Sequence, residues 1–263
     1  MTDLVRVAKD GHIASVTLNR PEQRNAISIA MLDEITHAFD ELSADRDVRA
    51  VILAGEGEHF CAGADFSDLT IMTPEGFDYG TSFEHAIEAM ASCAVPVVAR
   101  VQGAALGAGC QIVGGCDLAV ASEGARLGIP AAKLGLVINF ENVQRLVLSV
   151  GTKRAGEILY TGRELSGVEA ASWGLVNDAV PEDRLDERVQ EVCRTIAAGA
   201  PLTMKAFKRG IGIVVEKLSL ARGRDPERIA AFDELASEAY ASGDLQEGVR
   251  AFRERRPPEF KGR

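Results

Sequence analysis

The stretch Val95–Ser122, V-P-V-V-A-R-V-Q-G-A-A-L-G-A-G-C-Q-I-V-G-G-C-D-L-A-V-A-S, decides how this chain is read. Its β-branched run from Val95 to Val101 predicts a buried strand. Gln102-Gly103 breaks the strand, Gly107-Ala108-Gly109 opens a short helix, and Asp117 to Ala121 returns to strand. A glycine-rich helix start lets a ligand reach bare backbone N–H groups, with the positive end of the helix dipole behind them. The turn is therefore read as a site for an oxygen bearing partial or full negative charge.

A second loop has the same character, Cys61-Ala-Gly-Ala-Asp65. It follows a predicted strand, Arg49 to Ala54, as Leu106-Gly-Ala-Gly-Cys110 follows the strand ending at Val101. If those strands lie side by side, the loops share one sheet edge and their N–H groups can converge as an oxyanion hole. Taken singly, either loop says only that small residues let a helix pack closely on a sheet.

Working outward, Leu4 to Ala8 and Ile13 to Asn19 alternate around Asp10-Gly11 and predict a hairpin. Residues 19–26, N-R-P-E-Q-R-N-A, are a polar loop. Ser28 caps a helix whose inner face is Met31, Leu32, Ile35, Ala38, Phe39 and Leu42. Pro74 to Ser92 reads as a helix, Arg126 to Gly128 as a strand, and Ala131 to Val150 as a helical region that Gly151 interrupts before 152–160. Ser166 caps a short helix ending at Gly174. Beyond residue 183 the pattern is helical, over 183–199, 202–217, 226–241 and 244–255. The expected division is an α/β core over 1–180 and a helical region over 181–263.

The 263 residues carry a net charge of −10, which argues against nucleic-acid binding, since that needs a basic face. Residues 250–263 run the other way, with six Lys/Arg against two Glu. That tail is either a solvated terminus or a cap over a phosphorylated ligand. Five cysteines without a C-x-x-C pair fit free thiols in a reducing cytoplasm. Four scattered histidines show no metal-ligand spacing, so no metal is expected. The N-terminus lacks a signal-peptide core, and the apolar window 103–121 holds Gln111, Asp117 and five glycines, so no membrane insertion is expected. G-x-G-x-x-G, a Walker lysine and G-x-S-x-G are also missing. Cys110 has no basic partner in sequence and reads as a packed thiol.

H-F-C-A-G-A-D-F at 59–66, followed by V-Q-G-A-A-L-G-A-G-C-Q-I at 101–112, resembles the crotonase (enoyl-CoA hydratase/isomerase) superfamily. N-R-P-E-Q-R-N-A at 19–26, V-I-L-A-G at 51–55, C-D-L-A-V-A at 116–121, W-G-L-V-N-D-A-V-P at 173–181 and the terminal R-P-P-E-F-K-G-R extend the likeness over nearly the whole chain. The resemblance implies a crotonase-like spiral of repeated β-β-α units with a helical C-terminal trimerisation region. It also implies an acyl-CoA thioester ligand, with coenzyme A as part of that ligand and no permanently bound cofactor. The expected assembly is a homotrimer or a dimer of trimers. By position, the N–H groups of Ala64 and Ala108 would hold the thioester oxygen. Arg24, Ala26, Ala62, Asp65 and Phe66 fall where relatives wrap the adenine and pantetheine, and Phe260 and Lys261 match a C-terminal pair that reaches coenzyme A.

The chain departs from the family pattern where hydratases carry two glutamates that handle water. Those positions are Gln111 and Ala131. Neither side chain accepts a proton near neutrality, and a general acid or base contributes roughly 10²–10⁴-fold. Asn139 stands where nucleophilic relatives put an aspartate. Asp68, Glu84, His85, Glu88 and Glu141 are the nearby replacements by sequence. Three readings remain open: an acyl-CoA-binding protein with weak or no hydratase activity, an active enzyme of fatty-acid metabolism using other residues, and a structural subunit.

Overall fold

The computed structural model describes residues 3–65, 77–221 and 226–262. Phe66, Asp68 and the expected start of the helix at Pro74 lie outside them. The hairpin forms as β1 (Val5–Asp10) and β2 (Ile13–Leu18), paired antiparallel from Val5 with Leu18 to Asp10 with Ile13. Gly11, at φ 56°, occupies the left-handed conformation that the tight turn requires.

Next come β3 (Ala50–Gly55), β4 (Val97–Val101), β6 (Leu118–Ser122) and β9 (Asp178–Val180), all parallel. They complete one six-stranded sheet in the order β1-β2-β3-β4-β6-β9. Parallel strands covered on both faces read as unbroken apolar runs, because side chains alternate between two cores. Val51 and Leu53 of β3 and Val97, Ala99 and Val101 of β4 point into the main core. Ala50, Ile52 and Val98 point the other way, onto Leu185, Val189 and Cys193 of α6 (Leu185–Ala198).

A second sheet holds β5 (Ala104–Leu106), β7 (Arg126–Gly128) and β8 (Glu164–Ser166). It is extended by two single bridges, Cys61 with Ala105 and Ile27 with Ala64. The chain therefore repeats one unit. A strand in the large sheet leads to a short pairing in the small one and then to a helix. β2, Ile27 and α1 (Ile29–Ala44) make one turn, and β3, Cys61 and α2 (Phe77–Ser92) the next. β4, β5 and α3 (Ala108–Gly115) make the third, and β6, β7 and α4 (Phe140–Thr161) the fourth. This is the spiral of β-β-α units that the resemblance implies.

The predicted face of α1 is the buried one: Met31, Leu32, Ile35, Ala38, Phe39 and Leu42, with the Ser28 hydroxyl accepting from Met31 N–H at 3.3 Å. One expectation is corrected. Ala131 to Val150 is not a continuous helical region. Pro130–Leu134 is a tight 3-10 turn that Gly135 ends in the left-handed region, and α4 starts only at Phe140. The stop is made locally, by Gly135 at φ 69° donating to Ala131 C=O, which apolar spacing alone does not register. Gly151 does interrupt α4, at φ 80°. After α5 (Gly167–Trp173), capped by Ser166 and Glu169 reciprocally, the chain becomes helical from α6 onward. α7 (Pro201–Ala221), α8 (Pro226–Ala241) and α9 (Gly243–Glu254) complete it. Among the described residues, no helix is long and apolar enough to cross a membrane.

Candidate functional site

β3 and β4 are hydrogen-bonded neighbours, so the two Gly/Ala loops leave the sheet at the same edge. Cys61 N–H donates to Ala104 C=O and Leu106 N–H donates back to Cys61 C=O, each at 2.9 Å. Gly109 lies against Cys61, and Gly63 and Gly107 hold φ values of 124° and 54°, which side chains resist. Glycine is thus required where the two turns touch.

Most N–H groups of the first turn are committed. Ala62 donates to Arg24 C=O at 2.9 Å, Gly63 to the Cys61 sulfur at 3.4 Å, and Asp65 to Ile27 C=O at 2.8 Å. In the second, Gly107 donates to Gly128 C=O at 2.8 Å and Gln111 back to Gly107 C=O at 3.1 Å. Among the described residues, Ala64 N–H in the first turn and the Ala108, Gly109 and Cys110 N–H groups at the start of α3 have no backbone acceptor. Ala108 is the first residue of α3, so its amide belongs to the orphan donors at the positive end of that helix.

The loop at 19–26 closes over the first turn. Arg20 donates to Asp65 at 2.8 Å and to Ala26 C=O at 2.8 Å, in a pair that is mostly buried. Asn25, fully buried, donates to the carbonyls of Glu56 and His59 at 3.0 and 2.8 Å. Arg24 and Asn25 sit at φ 51° and 55°, which turns the Arg24 carbonyl onto Ala62. Arg24, Ala26, Ala62 and Asp65 are therefore brought together, with Arg24 exposed and Asp65 occupied by Arg20. Sequence reading missed Arg20, because nothing local ties it to a carboxylate 45 residues away.

Gln111 is half-buried on α3, and Ala131 packs from the turn at 130–134 onto the core cluster that also receives Ala64. α9 presses on that turn so closely that a Cβ at Gly248 would lie 2.4 Å from Leu134 C=O. Of the acidic residues near the site, Glu84 is held by Asn139 at 2.7 Å, Asn142 at 2.9 Å and Arg145 at 3.0 Å. Asn139 is also the N-cap of α4, accepting from Asn142 N–H at 3.0 Å. His85 and Glu88 are exposed, and Glu141 is half-buried. Burial pushes the Cys61 and Cys110 thiols up to about 12, so both are neutral packing groups.

The C-terminal tail is strapped to α9. Glu247 accepts from Arg250, Arg256 and Glu259 N–H, and Asp244 accepts from the N–H groups of Lys261 and Gly262 at 2.6 and 2.8 Å. Phe260 and the Lys261 side chain are exposed there.

A family model described as "Enoyl-CoA hydratase/isomerase" matches residues 8–263. Similar proteins include a putative enoyl-CoA hydratase from Thermus thermophilus, 37% identical over 98% of this chain and 100% of the relative. A short-chain-enoyl-CoA hydratase from Clostridium acetobutylicum is 36% identical over 98% of each chain. An enoyl-CoA hydratase/isomerase structure from Pseudoalteromonas atlantica superposes with a TM-score of 0.84 at 30% identity, covering 98% of this chain and 100% of that one. A methylmalonyl-CoA decarboxylase superposes with a TM-score of 0.90 at 22% identity over 99% of each, a likeness of fold.

Proposed function

Because this chain belongs to the enoyl-CoA hydratase/isomerase family, we propose that it binds acyl-CoA thioesters and hydrates them weakly or not at all. The observation that carries the first half is the pair of unpartnered amides, Ala64 and Ala108, on turns joined through Cys61 and Ala105. Two such donors suit a thioester oxygen, which gains charge when the neighbouring carbon loses a proton or is attacked. A donor of this kind typically contributes ~2.7–4 kcal/mol to that charged state.

Coenzyme A runs past Arg24, Ala26 and Ala62 in this reading, with Asp65 anchoring the loop through Arg20. Phe66, Phe260 and Lys261 complete the set by position in the family. The second half of the proposal rests on Gln111 and Ala131, at the positions where hydratases carry their glutamates. Glu84 does not take their place, because Arg145 and two asparagines hold it as an acceptor. A homotrimer or dimer of trimers is supported by the exposed Phe207, Ile211 and Val214 on one side of α7. A cytoplasmic location accords with five free cysteines.

Calorimetry with butyryl-CoA and its thioether analogue S-butyl-CoA tests the donors directly. The thioester binds roughly tenfold tighter if two amides grip its oxygen. Equal affinity removes the oxyanion role, and no binding of either leaves only a structural subunit. Rapid loss of the conjugated absorbance of crotonyl-CoA overturns the weak-hydratase half.

A further inference from the structure

Beside the first turn the fold leaves one polar atom unanswered. Tyr79 lies on α2 one turn before Phe83, with ring centroids 6.1 Å apart at 18°. It packs against the core cluster that also receives Ala64, Ala131 and Ile138. Its phenol oxygen is sealed from solvent and makes no hydrogen bond. The titratable groups acting on it are Cys61 and Asp65, at the two ends of the first turn, and Tyr240 of α8.

Each of those neighbours is committed elsewhere. Asp65 is paired with Arg20, Tyr240 donates to Val137 C=O at 2.6 Å, and the Cys61 thiol is directed to Gly63 C=O at 3.6 Å. Burial holds the Tyr79 phenol protonated far above its ordinary range, so it is available as a donor. A phenylalanine would fill the same space without a stranded hydroxyl, and buried polar atoms without partners are rare in folded proteins. The other such atom among the described residues, Gln102 Oε1, belongs to an amide already donating to Gly55 and Gly57.

Resting on the acyl-CoA reading above, we propose that the Tyr79 hydroxyl recognises an oxygen carried by the acyl chain beyond the thioester. The class of ligand is a hydroxylated or ketonic acyl-CoA in preference to a plain alkyl one. A pocket with a buried polar group discriminates against an isostere lacking the matching atom, because the group is then left unpaired.

The test uses the full chain and calorimetry with hexanoyl-CoA against its 3-hydroxy, 5-hydroxy and 6-hydroxy counterparts, on the unmodified protein and on Tyr79→Phe. At least one hydroxylated isomer binds roughly tenfold tighter than hexanoyl-CoA, and Tyr79→Phe abolishes that preference. The melting temperature of the variant is no lower, since a stranded hydroxyl adds nothing to the fold. The proposal is overturned if no isomer is preferred, if the preference survives Tyr79→Phe, or if the variant melts earlier with its ligand ratios unchanged. Binding of hexanoyl-CoA without preference removes only the tyrosine's role. No binding of any acyl-CoA removes the underlying site reading and this inference with it.

Discussion

Gly109 lies so close to Cys61 that a Cβ at 109 would sit 2.5 Å from the Cys61 carbonyl oxygen and 2.8 Å from its Cβ. The start of α3 is thereby pressed onto the first turn. Gly109→Ala forces the two turns apart. It should cost about 1–3 kcal/mol of stability, as overpacking in a core does. It should also weaken binding of butyryl-CoA more than binding of S-butyl-CoA. Urea denaturation and calorimetry read the two effects, and wild-type behaviour in both means the turns have room that the contact denies.

Lys208, 8% exposed on α7, gives its ammonium to Met90 C=O and Val95 C=O at 3.0 Å each and to Asp117 at 2.7 Å. Asp117 in turn accepts from Val97 N–H at 2.8 Å, at the first residue of β4. Lys208→Met keeps the buried stem and strands three acceptors. A loss of about 1–3 kcal/mol in denaturant unfolding is expected, in the range for leaving buried acceptors unsatisfied. Unchanged stability would mean that apolar contacts alone dock α7.

Glu247 is held well below the ordinary carboxylate range, first by Arg256 and then by the Glu259 amide and Arg250. A depressed folded value means that its contribution is complete above the unfolded carboxylate value of ~4.3 and is lost as pH falls below it. Glu247→Gln should therefore lower the melting temperature at neutral pH and flatten its fall on the acid side. Parallel curves for the two proteins from neutral to acid would refute the strap between the tail and α9.

Gln111→Glu combined with Ala131→Glu introduces two carboxylates at the positions that the proposed function leaves without a proton acceptor. Crotonyl-CoA hydration should rise by roughly 10²-fold or more over the unmodified protein. A double variant that binds butyryl-CoA yet stays inert would show that the pocket differs from a hydratase by more than those side chains.

The local features were legible. Ser28, Ser166 and Gly174 announce helix ends through chemistry confined to a single turn of chain, and the inner face of α1 follows from spacing alone. Of the three-residue strands, β7 at Arg126–Gly128 was read and the others were not. β5, β8 and β9 are too short for a period, and they exist only because a partner strand accepts them. The Glu84 cluster was equally hidden, since Asn139 and Arg145 meet it across 55 and 61 residues.

Residue order settled the chemistry of each turn: glycines where φ is positive, alanines offering bare amides, and no glutamate at 111 or 131. Residue order left open which donors would remain unanswered. Folding placed Arg20 on Asp65 and Arg145 on Glu84, and among the described residues left the Ala64 amide, the first amides of α3 and the Tyr79 hydroxyl without acceptors. A hydrogen bond is closed by whichever group the packing brings within about 3 Å, however distant in the chain, so availability belongs to the three-dimensional arrangement.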